Sequence, residues 1–252
     1  MAAFTLIPKN LIGSDYEQKL NELYYSRGFV EPKVVDAGHY KLICYGGIAD
    51  GRPNTLWQDQ EGNFQIITGT LIYNGNLVLK ANENLFREAI ASKINSENVS
   101  GTFCIVSFDK QNNNIHILHD HNGSFRFYSD LQNKLISTSF SVLAKASDIA
   151  AFDHDIFRFN LIFGFTPASK TWVKSIVRVL KQEQLPSVIR YNRLSSDTRK
   201  WIFKSSEAAV KKSTSLLLKK MNIGIPEESI VQKYLGLSSG YDSRLIAALL
   251  NK

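Results

Sequence analysis

The sequence predicts an α+β chain: an antiparallel sheet sandwich with flanking helices, followed by the first strand, loop and helix of an α/β nucleotide-binding domain. Three observations carry this prediction. Short strand-like segments joined by polar turns recur between residues 40 and 139, two amphipathic helical stripes accompany them, and residues 230–252 read as strand, tight turn and helix. Hydrophobic residues make up 44% and charged residues 21%, which excludes a disordered chain.

Two helices are predicted from capping signals and apolar periodicity. A capping box at Ser14–Glu17 opens the first helix, and Gly28 ends it. Its apolar face consists of Tyr16, Leu20, Leu23 and Tyr24, and the stripe of the second helix consists of Leu85, Phe86, Ile90 and Ile94.

Six segments have the pattern of antiparallel strands bounded by turn residues. They are residues 40–45, 64–73, 101–108, 115–119, 125–128 and 135–139. Asn74-Gly75 follows the second of them and is the strongest short signal for a hairpin turn.

The end of the chain has the pattern of an anion-binding loop. Residues 230–237 form a predicted strand, Ser238-Ser239-Gly240-Tyr241-Asp242-Ser243 a tight turn, and residues 244–252 a helix. Small residues let backbone N–H groups turn inward, and the helix N-terminus adds its positive dipole, so phosphate is the expected ligand. The alternative is a turn in which Ser, Gly and Asp only cap a buried helix.

This loop resembles the Ser-Gly-Gly-x-Asp-Ser loop of ATP pyrophosphatases, and the upstream sequence resembles asparagine synthetases. A Gly-x-Phe strand at residues 101–109, a turn at Asp120–Gly123 and an aromatic strand at residues 124–128 occur in the family's order. The remaining matching segments are residues 135–144, 159–165, 170–176, 188–191 and 199–201, so the resemblance covers about residues 65–252.

The resemblance implies two domains and a chemistry. Residues 1–205 would be a glutamine amidotransferase-like domain with the N-terminal-nucleophile-hydrolase fold, and residues 206–252 the incomplete beginning of an ATP-pyrophosphatase domain. It also implies ATP, Mg²⁺, and small carboxylate and amine substrates. Pyrophosphate would be held by the residues of the loop, which are Ser238, Ser239, Gly240, Asp242 and Ser243. Asp242 would also bind the Mg²⁺ ion.

The nucleophile of the glutamine-hydrolysing members has no counterpart. They use a Cys at the start of the mature chain, whose own α-amino group is the base, whereas this chain has Ala2. Cys44 and Cys104 lie inside apolar runs and are expected to be buried free thiols. In this respect the chain resembles β-lactam synthetases and lasso-peptide cyclases. The glutaminase half is therefore expected to be inactive, and Asn74-Gly75 is interpreted as a turn rather than part of an oxyanion hole.

Charge and composition indicate the partners. The net charge is +7, and residues 158–220 hold fourteen Lys and Arg against three acids. We interpret this basic segment as solvated surface, so nucleic acid is not an expected partner.

No membrane segment or targeting signal is evident, which predicts a cytoplasmic protein. The cluster of His116, His119 and His121 is expected to be structural or at the surface rather than a metal site.

Two functions from different classes fit the sequence. The first is an asparagine synthetase-like, ATP-dependent amide-forming ligase, whose synthetase half is completed by further chain or by a partner. The alternative is a non-catalytic binding or assembly module that keeps the amidotransferase-like fold, in which case a homo-oligomer is one outcome.

Overall fold

Two sheets rich in antiparallel pairs organise the residues that the computed structural model describes, which are 3–11, 16–29, 32–45, 56–78, 80–146, 151–194 and 205–224. The strands within these ranges are β1 (Ala3–Pro8), β2 (Lys33–Ala37), β3 (Tyr40–Tyr45), β4 (Trp57–Gln58), β5 (Phe64–Tyr73), β6 (Asn76–Val78), β7 (Val99–Asp109), β8 (Asn114–His119), β9 (Tyr128–Asp130), β10 (Leu135–Ser137), β11 (Ile176–Arg178) and β12 (Ile189–Arg193). The α-helices are α1 (Tyr16–Tyr25), α2 (Glu83–Ile90), α3 (Phe140–Ala146), α4 (His154–Phe163) and α5 (Ser206–Gly224). The predicted α+β class with antiparallel sheets is confirmed.

The first sheet has the strand order β11-β9-β10-β1-β3-β2, and its pairs are antiparallel. The second follows the order β12-β8-β7-β5-β4 and is antiparallel except for the parallel pair of β12 and β8. Strand β1 lies inside the first sheet, where Thr5 faces Ser137 of β10 and Ile43 of β3.

Three apolar clusters define four layers. Between the sheets, Phe4 and Leu42 of the first pack in one cluster with Phe64 and Phe108 of the second. On the outer face of the first sheet lie helices α1 and α3, and on that of the second lies helix α2. The order is helix, sheet, sheet, helix. Each large side chain buried in this way stabilises the fold by about 1.5–3 kcal/mol.

Helix α1 ends as its sequence predicts. The N–H of Phe29 donates to Tyr24 O at 3.1 Å and that of Gly28 to Tyr25 O at 2.9 Å, which is the Schellman pattern. Gly28 has φ +80°, a conformation that costs a side chain about 1–2 kcal/mol. The accompanying apolar contact is present, since the rings of Phe29 and Tyr24 lie 5.2 Å apart. Ser14, the predicted cap at the other end, lies outside the described residues.

Most predicted strands are present, and one is displaced. Residues 40–45 and 64–73 have the predicted bounds, whereas β7 and β8 begin before the predicted residues and β10 ends before residue 139. The prediction of a strand at residues 125–128 is wrong, because β9 is Tyr128–Asp130. The carboxylate of Asp120 accepts hydrogen bonds from three backbone N–H groups at residues 122–125 and holds this stretch in a turn.

Other local predictions have mixed outcomes. The predicted turn is confirmed, since Asn74 and Gly75 both have positive φ, 51° and 79°, as a type I′ turn requires. The second helix ends at Ile90, so Ile94 of the predicted stripe lies beyond it and packs partly buried. Strand β1 was not predicted, although all six of its residues are buried.

The contacts divide the chain into two units, residues 1–74 with 78–197 and residues 75–77 with 198–252. Helix α5 belongs to the second unit, and its Val210, Leu216 and Leu217 are exposed. The domain assignment from the sequence stays a prediction. Across the described part of the chain, no helix combines the length and the apolar character that crossing a membrane requires.

Candidate functional site

The residues predicted to hold pyrophosphate and Mg²⁺ are Ser238, Ser239, Gly240, Asp242 and Ser243, and all of them lie outside the described residues. Their roles therefore stay predictions, as do ATP and Mg²⁺. The sites that the structure does describe belong to the two-sheet unit.

Hydrogen bonds to neighbouring elements hold the start of β1. The N–H of Phe4 donates to Thr138 Oγ1 at 3.2 Å, and the N–H of Thr138 donates back to Phe4 O at 3.1 Å. The next residue, Thr5, has its hydroxyl within 3.0 Å of Ser137 Oγ and 3.3 Å of Tyr24 OH. Backbone and hydroxyl bonds thus tie the first residues of the strand to β10 and to α1.

Neither cysteine is placed to act as a nucleophile. Cys44, which faces Phe4 across β1 and β3, is buried, and burial raises the pKa of its thiol to about 12. Burial likewise raises the pKa of Cys104 in β7. Because the thiolate is the reactive form, both groups are inert at neutral pH. Both cysteines are free and buried, as predicted.

Asp120 organises the turn that follows β8. Its Oδ1 accepts from the N–H groups of Asn122 at 3.1 Å and Ser124 at 2.8 Å, and its Oδ2 accepts from Phe125 N–H at 2.7 Å. The side chain is only 2% exposed, so these bonds replace the water that a carboxylate needs. The turn presents the carbonyl of Gly123 to Arg178, whose Nη2 donates to it.

His119 is a satisfied core residue. Its Nε2 lies 2.5 Å from Phe125 O and its Nδ1 lies 2.9 Å from Tyr191 OH. A carbonyl only accepts, so we assign the ring proton to Nε2, and Nδ1 accepts from the tyrosine. Burial lowers the pKa of His119, which keeps the ring neutral. Across the described ranges no three His, Cys, Asp or Glu side chains converge as metal ligands.

A cleft of about 350 Å³ lies beside this turn. It is built from the end of the Asp120 turn, β9, the start of α3, the C-terminal end of α4 and the segment that leads into β11. Its cationic side chains are Arg126, Lys170 and Arg178. Its uncharged polar and aromatic side chains are Asn160, Thr166, Thr171, Tyr128, Phe140, Phe165 and Trp172. Of the described residues that line it, none is acidic.

Backbone pairing positions the cations. Arg178 stands opposite Tyr128 in the pair of β11 and β9, and its N–H donates to Ser169 O at 2.8 Å. Lys170 follows a turn in which its N–H donates to Pro167 O at 3.0 Å. Thr171 is fixed by hydroxyl bonds to Val173 O and Ile176 O at 3.0 and 2.6 Å. The cationic side chains thus project from a rigid frame.

The aromatic wall is a continuous cluster. Ring centroids of Tyr128 and Phe140 lie 5.7 Å apart, and those of Phe140 and Trp172 lie 6.3 Å apart and edge to face. Phe157 of α4 supports Trp172 from another side at 5.5 Å. Trp172 nevertheless remains 37% exposed, so one part of the indole is free to contact a ligand.

Comparisons with protein-family models and with curated proteins found no match. Sequence reasoning did not group the cleft residues, because they come from separate segments between residues 126 and 178. The signal that pointed to them was the basic segment 158–220, which includes Lys170 and Arg178. Only the fold brings Arg126 beside them.

Proposed function

We propose that this chain is an asparagine synthetase-like protein whose first 205 residues form a glutamine amidotransferase-type domain without its nucleophile. The observation that carries the proposal is the order of the layers, with β1 inside a sheet of the helix-sheet-sheet-helix sandwich. An N-terminal-nucleophile-hydrolase fold is a sandwich of this kind, and it presents the start of the chain within a sheet. Ala2 then stands where glutamine-hydrolysing members have Cys.

The chemistry proposed for the complete, cytoplasmic enzyme is amide formation in two steps. A substrate carboxylate oxygen attacks the α-phosphorus of ATP and pyrophosphate leaves, giving an acyl adenylate. A substrate amine then attacks the acyl carbon, AMP leaves, and the amine loses a proton. Backbone and hydroxyl groups at residues 238–240 and Ser243 would bind the pyrophosphate by hydrogen bonds, and Asp242 would bind Mg²⁺.

The absent nucleophile is tested with glutamine. We expect that the purified protein releases no ammonia from glutamine and takes no label from a glutamine-analogue electrophile, because Ala2 carries no thiol. A variant with Ala2→Cys is the matched control for labelling at an exposed N-terminal thiol. Stoichiometric labelling of the N-terminal residue in the parent protein would refute this part of the proposal.

The loop is tested in the full-length protein by ATP binding with Mg²⁺. We expect Asp242→Ala and Gly240→Val to abolish binding while the melting temperature changes little, because the loop would act on the nucleotide rather than on the fold. Asp155→Ala, at an exposed position of α4, is the control. A large loss of stability with unaltered binding would instead support the helix-capping interpretation.

A binding or assembly module is the second candidate, and the exposed side of α4 favours it. Leu161, Ile162 and Phe163 are 68%, 74% and 57% exposed, and none of the helix's residues is buried. Adjacent exposed apolar residues mark interaction surfaces. If a second copy covers this helix, Ile162→Glu will convert the oligomer to monomer in sedimentation experiments. A monomeric parent protein would exclude a second copy as the occupant of this surface.

A further inference from the structure

The cleft beside the Asp120 turn has the size and the charge of a ligand site. Its volume of about 350 Å³ falls within the range of roughly 300–1,000 Å³ typical of small-molecule pockets. Three cationic side chains, Arg126, Lys170 and Arg178, border it. Like charges that share one cleft repel one another, so an anion bound there relieves a cost that the free protein carries.

No acid of the described residues forms an ion pair with these cations. The ion pairs of the described residues engage other groups, such as Lys41 with Glu17 and Arg158 with Asp155. The guanidinium of Arg178 donates through Nη2 to the Gly123 carbonyl, while its Nε is buried and has no hydrogen-bond partner within the described ranges. A guanidinium has five N–H donors, so this hydrogen bond fixes its position and leaves donors for an anion with several oxygens, such as a phosphate.

The aromatic part of the cleft lining fits a flat ring. Tyr128, Phe140 and Trp172 form the cluster described above, and Phe165 adds a ring that is 57% exposed. Exposed aromatic faces next to cations are the arrangement by which proteins stack a base while binding its phosphate. Asn160 and Thr166 add uncharged hydrogen-bonding groups to the lining.

We propose that this cleft binds a small phosphorylated ligand with a planar ring, of the mononucleotide type, with the phosphate at Arg126, Lys170 and Arg178 and the ring against Trp172. This site is separate in sequence from the loop at residues 238–243. It therefore does not depend on the proposed ligase activity, and a nucleotide bound in the cleft would be independent of Asp242.

Isothermal titration calorimetry of the whole chain tests the proposal, with AMP, adenosine and inorganic phosphate as probes at low ionic strength. We expect AMP to bind at least tenfold more tightly than either fragment, because each fragment engages only one part of the cleft. Lys170→Met and Arg126→Met should each weaken AMP about tenfold or more, as loss of a charge-assisted hydrogen bond does. Lys174→Met removes the same charge four residues from Lys170, outside the cleft lining, and should bind AMP as the parent does.

Fluorescence locates the ring. AMP should quench part of the tryptophan emission in the parent, and Trp172→Phe should remove that quenching. Arg178→Met is expected to weaken AMP as well, but its hydrogen bond to Gly123 also supports the turn, so Arg126→Met carries the test if that variant does not fold. Asp242→Ala should leave AMP binding in the cleft intact.

Several results would overturn the proposal. Absence of AMP binding, equal weakening by Lys174→Met and Lys170→Met, or inorganic phosphate binding as tightly as AMP would each do so. An oligothymidylate that binds more tightly than AMP, with affinity reduced equally by Lys174→Met and Lys170→Met, would show a general nucleic-acid surface instead.

Discussion

Replacement of Asp120 by Ala should destabilise the two-sheet unit strongly. Its carboxylate is 2% exposed and accepts three backbone N–H bonds of 2.7–3.1 Å. A hydrogen bond to a charged group contributes about 1.5–3 kcal/mol, and the three act as one unit, so we expect a loss of about 3–5 kcal/mol in the free energy of unfolding. Native domains have about 5–15 kcal/mol in total, so the variant should unfold at a much lower urea concentration.

Urea unfolding followed by circular dichroism measures this loss, and Asp155→Ala is the matched control. Asp155 has a 93% exposed side chain and lies 4.0 Å from Arg158, so its removal should change the unfolding free energy by less than about 0.5 kcal/mol. A change below about 1 kcal/mol in Asp120→Ala would refute the assignment of the carboxylate as the support of this turn.

Asp120→Asn distinguishes the effect of the turn on the position of Arg178 from the effect of the carboxylate's negative charge on anion binding. The amide keeps one acceptor oxygen, so the variant should lose less stability than the alanine variant. Removal of a negative charge would by itself strengthen the binding of an anion in the cleft. Weaker AMP binding in Asp120→Asn therefore reports that Arg178 has lost its place at the Gly123 carbonyl. Stronger binding would show that the turn does not position Arg178.

The thiols and the buried histidines give two further predictions. Cys44 and Cys104 should not react with a disulfide reagent at pH 8 in the native state and should both react in denaturant, because burial raises the pKa of both. The unfolding free energy should fall as pH decreases below about 6.5, since burial lowers the pKa of His119 and His116, and the unfolded chain then binds protons that the folded protein does not. His119→Gln should reduce that pH dependence, and a slope equal to that of the parent protein would contradict the assignment.

Regular local patterns made much of the fold predictable. Strands β3 and β5 have the predicted bounds because long apolar or alternating runs end at turn residues such as Asn74-Gly75. Gly28 predicted the end of α1 because the helix terminus requires a positive φ at this position. Glycine is the residue that adopts a positive φ most readily, so the requirement is visible in the sequence. Such signals act within a few residues.

What the sequence did not predict depends on distant contacts. The stretch at residues 125–127 has strand-like alternation, yet a carboxylate at position 120 holds it out of the sheet. Strand β1 is short and ends in Pro8, so its central place is evident only from its pairing with β3 and β10. The cleft is a further case, since Arg126 and Arg178 line it together only when the pairing of β9 with β11 brings their segments side by side.

The place of β1 also fixes an order of events in folding. One neighbour, β3, follows within 45 residues of the chain start, but the other, β10, is joined to it by a Thr5–Ser137 contact that spans 132 positions. During synthesis the first strand can pair on one side early, while its other edge must wait until residues 135–137 of β10 have been made. An unpaired apolar edge is prone to associate with other chains. Closure across so long a loop is also slow. Nascent chains that stop before residue 135 should therefore depend on chaperones more than longer ones.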